Sequence, residues 1–154
     1  RQMDVHSEKI RSKNMSAIRS QNTKPELKLR HALHKMGFRY RLYSNKIIGK
    51  PDMVFKRFNA VVFVNGCFWH KHDCSNFKLP KSRVEFWQKK LEGNKSRDQN
   101  VLSVLQSEGW RIAVVWECAL KGRGQPEKII AGKVANWLQG RDSFIELPEV
   151  SNAG

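Results

Sequence analysis

All three cysteines of this 154-residue chain fall into one constellation with a histidine: Cys67, His72 and Cys74 in a single segment, and Cys118 far downstream. If the four hold one ion, that segment and the one ending at Cys118 must meet in space, which removes most of the arrangements the chain could otherwise adopt. A structural zinc site asks for four soft or borderline ligands in a closed tetrahedron, and this Cys3His set supplies them. The ion would then pin a loop to the sheet. The other reading is three buried reduced thiols, which protein interiors hold readily. Asp73, between two candidate ligands, reads as a carboxylate hydrogen-bonded to one of them or as a solvated acid.

The cysteine count also bears on compartment. An odd, small number argues against a secreted disulfide scaffold, and the first residues are polar and charged rather than an apolar signal core, so the expected setting is the reducing cytoplasm. Membrane insertion is not expected, because the apolar run Ala60 to Val64 is far short of the ~20 residues that span a bilayer.

Periodicity fills in the elements between these fixed points. Residues 1–20 carry few apolar side chains and read as an arm, and residues 21–150 as one domain. Thr23-Lys24-Pro25-Glu26 is a T-x-x-E capping box with proline in the first turn, and Leu29, Leu33 and Met36 follow at helical spacing, predicting a helix that Gly37 ends. Phe38 to Tyr43, Asp52 to Phe55 and Ala60 to Val64 read as strands, the last two joined by a Lys56 to Asn59 turn. Ser82 and Glu85 repeat the capping box and open a long helix running to Gly109. Trp110 to Val115 reads as a buried strand, and Ile129, Ile130, Val134, Trp137 and Leu138 mark a final helix. This order, α-β-β-β-α-β-α, predicts an α/β fold with a mixed sheet flanked by helices.

Charge constrains the partner. The net charge is +15, and it is uneven: residues 1–77 carry +11 and residues 78–154 carry +4. Self-repulsion on this scale suits a polyanion, since neutralising nucleic-acid phosphates releases counterions. An acidic membrane or protein partner, or a merely solubilising surface, are the other readings.

Candidate catalytic groups are few. Asp52 opens one strand opposite the end of another, the way many nucleases hold Mg²⁺ with oxygen ligands. The usual acid-x-lysine on the second strand is missing, because Val64 and Asn65 stand there, and a turn-capping role for Asp52 is the alternative. His70 is surplus to the four zinc candidates and can serve as general base on water; otherwise it is a solvated or alternative metal-ligating histidine. Phe68 and Trp69 are adjacent, so both cannot easily face one core, and one is available to stack on bases or wedge between them. Lys90 and Asn94 share a helix face one turn beyond Trp87, placed either to read base edges or simply to be solvated.

Taken together, Asp4-Val5-His6, Arg11-Ser12-Lys13-Asn14-Met15, Pro51-Asp52, Gly66-Cys67-Phe68-Trp69-His70 with His72 and Cys74, Glu85-Phe86-Trp87, Asn94, Arg97-Asp98, and Gly109-Trp110-Arg111 leading to Trp116-Glu117-Cys118-Ala119-Leu120 resemble the very-short-patch mismatch repair endonucleases. The resemblance runs over most of the chain, its motifs ending at Leu120. It implies a restriction-endonuclease-like fold with a structural zinc, and a Mg²⁺-dependent enzyme that nicks one strand 5′ to the thymine of a T:G mismatch left by deamination of 5-methylcytosine. By position, Asp52 and the main-chain carbonyl of Val64 would ligate magnesium, His70 would activate water, and Glu26 is an acidic residue near the active site. Cys67, His72, Cys74 and Cys118 would hold zinc. Phe68, Trp69 and Trp87 would wedge beside the mismatch from the major groove, with Met15 and Ile18 on the minor-groove side, while Lys90 and Asn94 would address the wobble pair. The implied partners are double-stranded DNA, the mismatch-repair proteins and a companion cytosine methyltransferase, and the implied state is a monomer in the bacterial cytoplasm, associated with the nucleoid.

Two departures accompany the resemblance. Val64-Asn65 replaces the Thr-His pair of better-known members; the lost hydroxyl is harmless if only the carbonyl ligates, but Asn65 can hydrogen-bond phosphate or water without carrying charge. Lys71 and Asp73 stand where a histidine run can occur. Two other functions compete: a non-catalytic zinc module that binds distorted DNA, motivated by the missing acid-x-lysine pair, and a single-strand or RNA binder using the arm and aromatics.

Overall fold

In a computed structural model that describes residues 23–67, 72 and 78–149, the first element is helix α1 (Lys24–Lys35), started as its sequence predicts. The Thr23 hydroxyl accepts a hydrogen bond from the Glu26 N–H at 3.4 Å, and Pro25 sits in the first turn, where its missing N–H leaves nothing unpaired. Strands β1 (Arg41–Leu42), β2 (Met53–Phe55) and β3 (Ala60–Asn65) form an antiparallel meander. A 3-10 turn, Lys56–Phe58, and the left-handed Asn59 join β2 to β3. The long helix α2 (Val84–Ser107) crosses over to β4 (Arg111–Trp116), which pairs parallel to β3. After a 3-10 turn, Glu117–Leu120, helix α3 (Pro126–Gln139) returns the chain to β5 (Phe144–Leu147), parallel to β4. The sheet is therefore mixed, in the order β1-β2-β3-β4-β5.

Side-chain alternation along the central strands builds a core on each face. Ala60 and Val62 of β3 with Ala113 and Val115 of β4 pack under α1 and α3, against Leu29, Leu33, Ile130, Val134 and Leu138. Val61 and Phe63 with Ile112, Val114 and Trp116 form the other face, covered by Leu105, Val101 and Leu102 of α2. Both faces of β3 and β4 are thus apolar, which is why these strands read as continuous hydrophobic runs. Among the described residues no helix is long and apolar enough to cross a membrane.

Three expectations need correction. Phe38 to Tyr43 is mostly not strand: only Arg41–Leu42 pairs, because Tyr43 turns left-handed at φ 46°, and the rings of Phe38 and Tyr40 pack on Phe55 instead. Ser82 does not cap the long helix. Arg83 holds the N-cap position at φ 55° with no side-chain cap, its guanidinium lying 4.3 Å from the centroid of the Phe86 ring. Finally, the predicted order stopped at the last helix, whereas β5 follows it and completes the sheet.

The loop before β2 is held against α2 by a close approach at Gly49. Its φ is +82°, and a Cβ there would lie 2.5 Å from Val101 Cγ1. Gly49→Ala is expected to destabilise the fold by about 2–3 kcal/mol, adding overpacking to backbone strain. Gly37→Ala, at φ +99° with nothing within 4 Å of the added Cβ, isolates the strain component and should show a loss of about 1 kcal/mol. Urea unfolding of the two variants checks the difference; equal losses would remove the Val101 contact from the account.

Candidate active site and metal cluster

Two carboxyls that lie far apart in sequence meet under the sheet. Glu26 faces inward from the first turn of α1 and is 1% exposed; Asp52, just ahead of β2, is 7% exposed. The two side chains are hydrogen-bonded to one another. Asp52 Oδ2 also accepts the Val64 N–H at 2.6 Å, tying it to the end of β3. Burial first, and the Glu26 charge second, push the Asp52 carboxyl well above the usual carboxylate range, against the Val64 hydrogen bond that pulls it down.

Glu26 is further surrounded by donors. Arg30, one helical turn on, reaches its Oε2 at 3.3 Å, and the Tyr43 hydroxyl donates to the same oxygen. The left-handed backbone of Tyr43, which ends β1, belongs to the turn from which this hydroxyl reaches Glu26. Neither partner was among the residues singled out from sequence. Arg30 was recoverable from its i+4 spacing to Glu26; Tyr43 carried no signal, since it reads as the end of a strand. The donor set fits a hard divalent cation: two oxygen-bearing acids packed against one another can both ionise most readily when a positive charge lies beside them.

Past β3 and β4 a second cluster forms. Cys67 Sγ, His72 and Cys118 Sγ offer ligand atoms that all lie within 4.8 Å of one another. The His72 N–H donates to the Cys67 carbonyl at 2.8 Å, and His72 Nδ1 stands 3.6 Å from Cys118 Sγ. Cys118 is carried by the 3-10 turn after β4, so the parallel pairing of β3 with β4 brings the thiols together. This Cys/His cluster can hold a metal ion, and its soft and borderline donors suit zinc chemistry. The His72 ring also stacks on Trp116, at 4.0 Å between centroids and 5° between planes. Trp116 in turn donates from Nε1 to Glu146 Oε2 of β5 at 2.6 Å.

The remaining sequence candidates distribute as follows. Asn65 ends β3, half-buried and in register with Trp116. Trp87 and Lys90 lie half-buried in the first turns of α2, where Phe86 is 44% exposed and meets Trp87 edge to face. Asn94 is buried, with its Oδ1 accepting from Arg97. Met15, Ile18, Phe68, Trp69, His70, Asp73 and Cys74 lie outside the described residues, as does the expected arm of residues 1–20.

Residues 3–76 match the family described as DNA mismatch endonuclease Vsr. The chain is 39% identical over 145 residues to DNA mismatch endonuclease Vsr of Escherichia coli strain K12, covering 94% of this chain and 93% of that protein. It is 48% identical over 113 residues to the type II nicking enzyme V.XorIIP of Xanthomonas oryzae pv. oryzae, covering 73% of this chain and 83% of that protein. It is 41% identical over 120 residues to the type II nicking enzyme V.NmeAIP of Neisseria meningitidis, covering 78% and 86%.

Proposed function

The chain belongs to the DNA mismatch endonuclease Vsr family and is a DNA endonuclease of mismatch repair, and from that premise we propose that it is a Mg²⁺-dependent nickase that cuts one strand 5′ to the thymine of a T:G mismatch. The substrate is double-stranded DNA in which 5-methylcytosine has deaminated, and the cut initiates very-short-patch repair. The observation that carries the reading is the buried Asp52–Glu26 carboxyl pair joined to Val64. In this reading the sheet and its helices are a restriction-endonuclease-like scaffold, residues 21–150 forming the domain and residues 1–20 a DNA-contacting arm.

Asp52, with Glu26 beside it, supplies the oxygen ligands for magnesium. In an extended strand a residue's N–H and C=O leave on the same side, so the Val64 N–H on Asp52 supports a Val64 carbonyl turned to the same edge. When bound, magnesium neutralises the paired carboxylates and stabilises negative charge building on the phosphate and leaving oxygens. His70 takes the proton of the attacking water, a role an imidazole can fill because it accepts and releases a proton readily. Asn65 orients water or phosphate by hydrogen bonding. Arg30 and Tyr43 hold Glu26 so that it cannot swing away from Asp52.

Cys67, His72, Cys74 and Cys118 hold a structural zinc that fixes the segment bearing His70. Phe68, Trp69 and Trp87 wedge into the base stack, Met15 and Ile18 act from the minor groove, and Lys90 and Asn94 address the mismatched pair. Wedging costs a few kcal/mol of unstacking per step, least at a mismatch, which makes selectivity for distorted duplex a physical consequence of the device. The enzyme works as a monomer in the bacterial cytoplasm on nucleoid DNA, with mismatch-repair proteins and a cytosine methyltransferase as its companions.

A strand-resolved assay tests this on labelled duplexes differing only in one T:G versus C:G pair, with Mg²⁺ or EDTA, across several flanking sequences. Magnesium-dependent nicking of the T strand alone is expected. Mismatch binding with no cleavage under any divalent metal overturns the reading and leaves a non-catalytic binder; preference for single strands at matched salt points to the third class.

A further inference from the structure

The Cys/His cluster has a feature that its ligands alone do not explain. His72 is tied by its backbone to Cys67, but rotation about its own side-chain bonds is restrained by the flat face of Trp116, 4.0 Å away and 5° from parallel. Trp116 is 9% exposed and packs with Val61, Phe63 and Leu105. Its one polar atom is satisfied by Glu146 at 2.6 Å. The sheet register explains why Glu146 can reach: Val114 pairs with Glu146 across β4 and β5, and Trp116 is two residues beyond Val114 on the same face.

We propose that Trp116 and Glu146 are positioning residues of the metal cluster: Glu146 fixes the indole, and the indole holds the His72 imidazole in its ligating orientation before the ion arrives. This rests on the cluster binding metal, as read above. Two physical effects act together. The χ2 torsion of histidine is broad, so an unstacked ring samples many orientations, and a ring already held loses less freedom on binding. A metal-bound imidazole is electron-poor, and an indole whose N–H donates to a carboxylate is electron-rich, so the stacked faces complement one another once the ion is present. Carboxylates usually orient a metal-bound histidine by accepting its second N–H; here the carboxylate acts one ring further out. The C-terminal strand thereby serves the metal cluster as well as the sheet.

The test uses the full chain and three variants, Glu146→Gln, Glu146→Ala and Trp116→Phe. Zinc affinity is measured by chelator competition, the visible bands of the Co²⁺-loaded protein report ligand geometry, and thermal unfolding of the metal-free proteins reports the fold. Glu146→Ala and Trp116→Phe are expected to weaken zinc binding by about 10-fold and shift the cobalt bands, with Glu146→Gln between them and wild type, since it keeps a hydrogen-bond acceptor without the charge. Metal-free unfolding temperatures should stay near wild type for Glu146→Gln and fall for Glu146→Ala and Trp116→Phe, which give up a buried hydrogen bond and core packing, but by less than the loss of zinc affinity accounts for. Unchanged zinc affinity and cobalt bands in a metal-binding protein overturn the proposal alone, as does a loss matched by equal destabilisation of the metal-free form, which marks a merely structural role. A wild-type chain that takes up neither ion overturns the cluster reading, and the proposal with it.

Discussion

Asp52→Asn is expected to lower mismatch cleavage by about 10³-fold or more while mismatch binding stays near wild type, because the substitution removes a metal-binding oxygen without changing side-chain shape. The same variant should be more stable than wild type when divalent metal is absent. Wild-type Asp52 is buried against Glu26, and its folded pKa is raised. For an acid shifted in this direction, stability is greatest below the unfolded pKa near 4 and falls as pH rises through the raised folded value, where the buried group must ionise. Asparagine has no such penalty, can still accept the Val64 N–H, and can donate to Glu26. In EDTA at neutral pH its unfolding temperature should therefore exceed wild type by about 3 °C, with the gap closing toward pH 4. Adding Mg²⁺ should raise the wild-type temperature and leave the variant's unchanged. Retained cleavage, or loss of DNA binding alongside cleavage, would remove Asp52 from the catalytic role.

Cys118→Ser is the second large effect. Serine is a poor ligand for zinc, so metal content should fall from about one equivalent to a small fraction of that. Structural zinc contributes on the order of 10 kcal/mol in the smallest domains. Even a third of that here, spread over a fold with two apolar cores, lowers the unfolding temperature by about 10 °C. Cleavage should fall with it, since the segment between Cys67 and Cys74 contains His70. Metal analysis and calorimetry with and without chelator separate the causes: in chelator, wild type and variant should unfold at similar temperatures. A variant that keeps its metal, or a wild type indifferent to chelator, would return the cysteines to the reading of buried thiols.

The parts of this molecule legible in sequence are those where a local rule decides. The Thr23 cap, the proline in the first turn of α1 and the continuous apolar runs of β3 and β4 each follow from side chains within a few residues of one another. Asp52 and the cysteines stood out because their chemistry is unusual for their surroundings. What stayed hidden depends on contacts across the fold. By local pattern Glu26 is only the last letter of a capping box; the family resemblance sets it near the active site, and the contact itself, buried against Asp52, exists only once α1 packs under the sheet. Tyr43 reads as strand, yet it is left-handed and its hydroxyl donates to Glu26, a contact 17 residues away in sequence that no local pattern shows. Strand β5 is four residues long with one fully buried side chain, too short to show a period, yet Glu146 reaches Trp116 from it.

Cys67 lies two residues past Asn65 and Cys118 two past Trp116, and Asn65 and Trp116 face each other across β3 and β4. The thiols are thus offset equally from a single rung of the ladder. A slip of one residue between these strands would turn one side-chain set to the opposite face and part the sulfurs. An ion held by both would close only on the correctly aligned pair, and would then act as a key cut for one alignment. Parallel strands joined by a long crossover form late and have near-equivalent misaligned neighbours. A keyed closure at their ends rewards the right one after the fact: it need not guide the chain to its alignment, only make departure from it unfavourable once found.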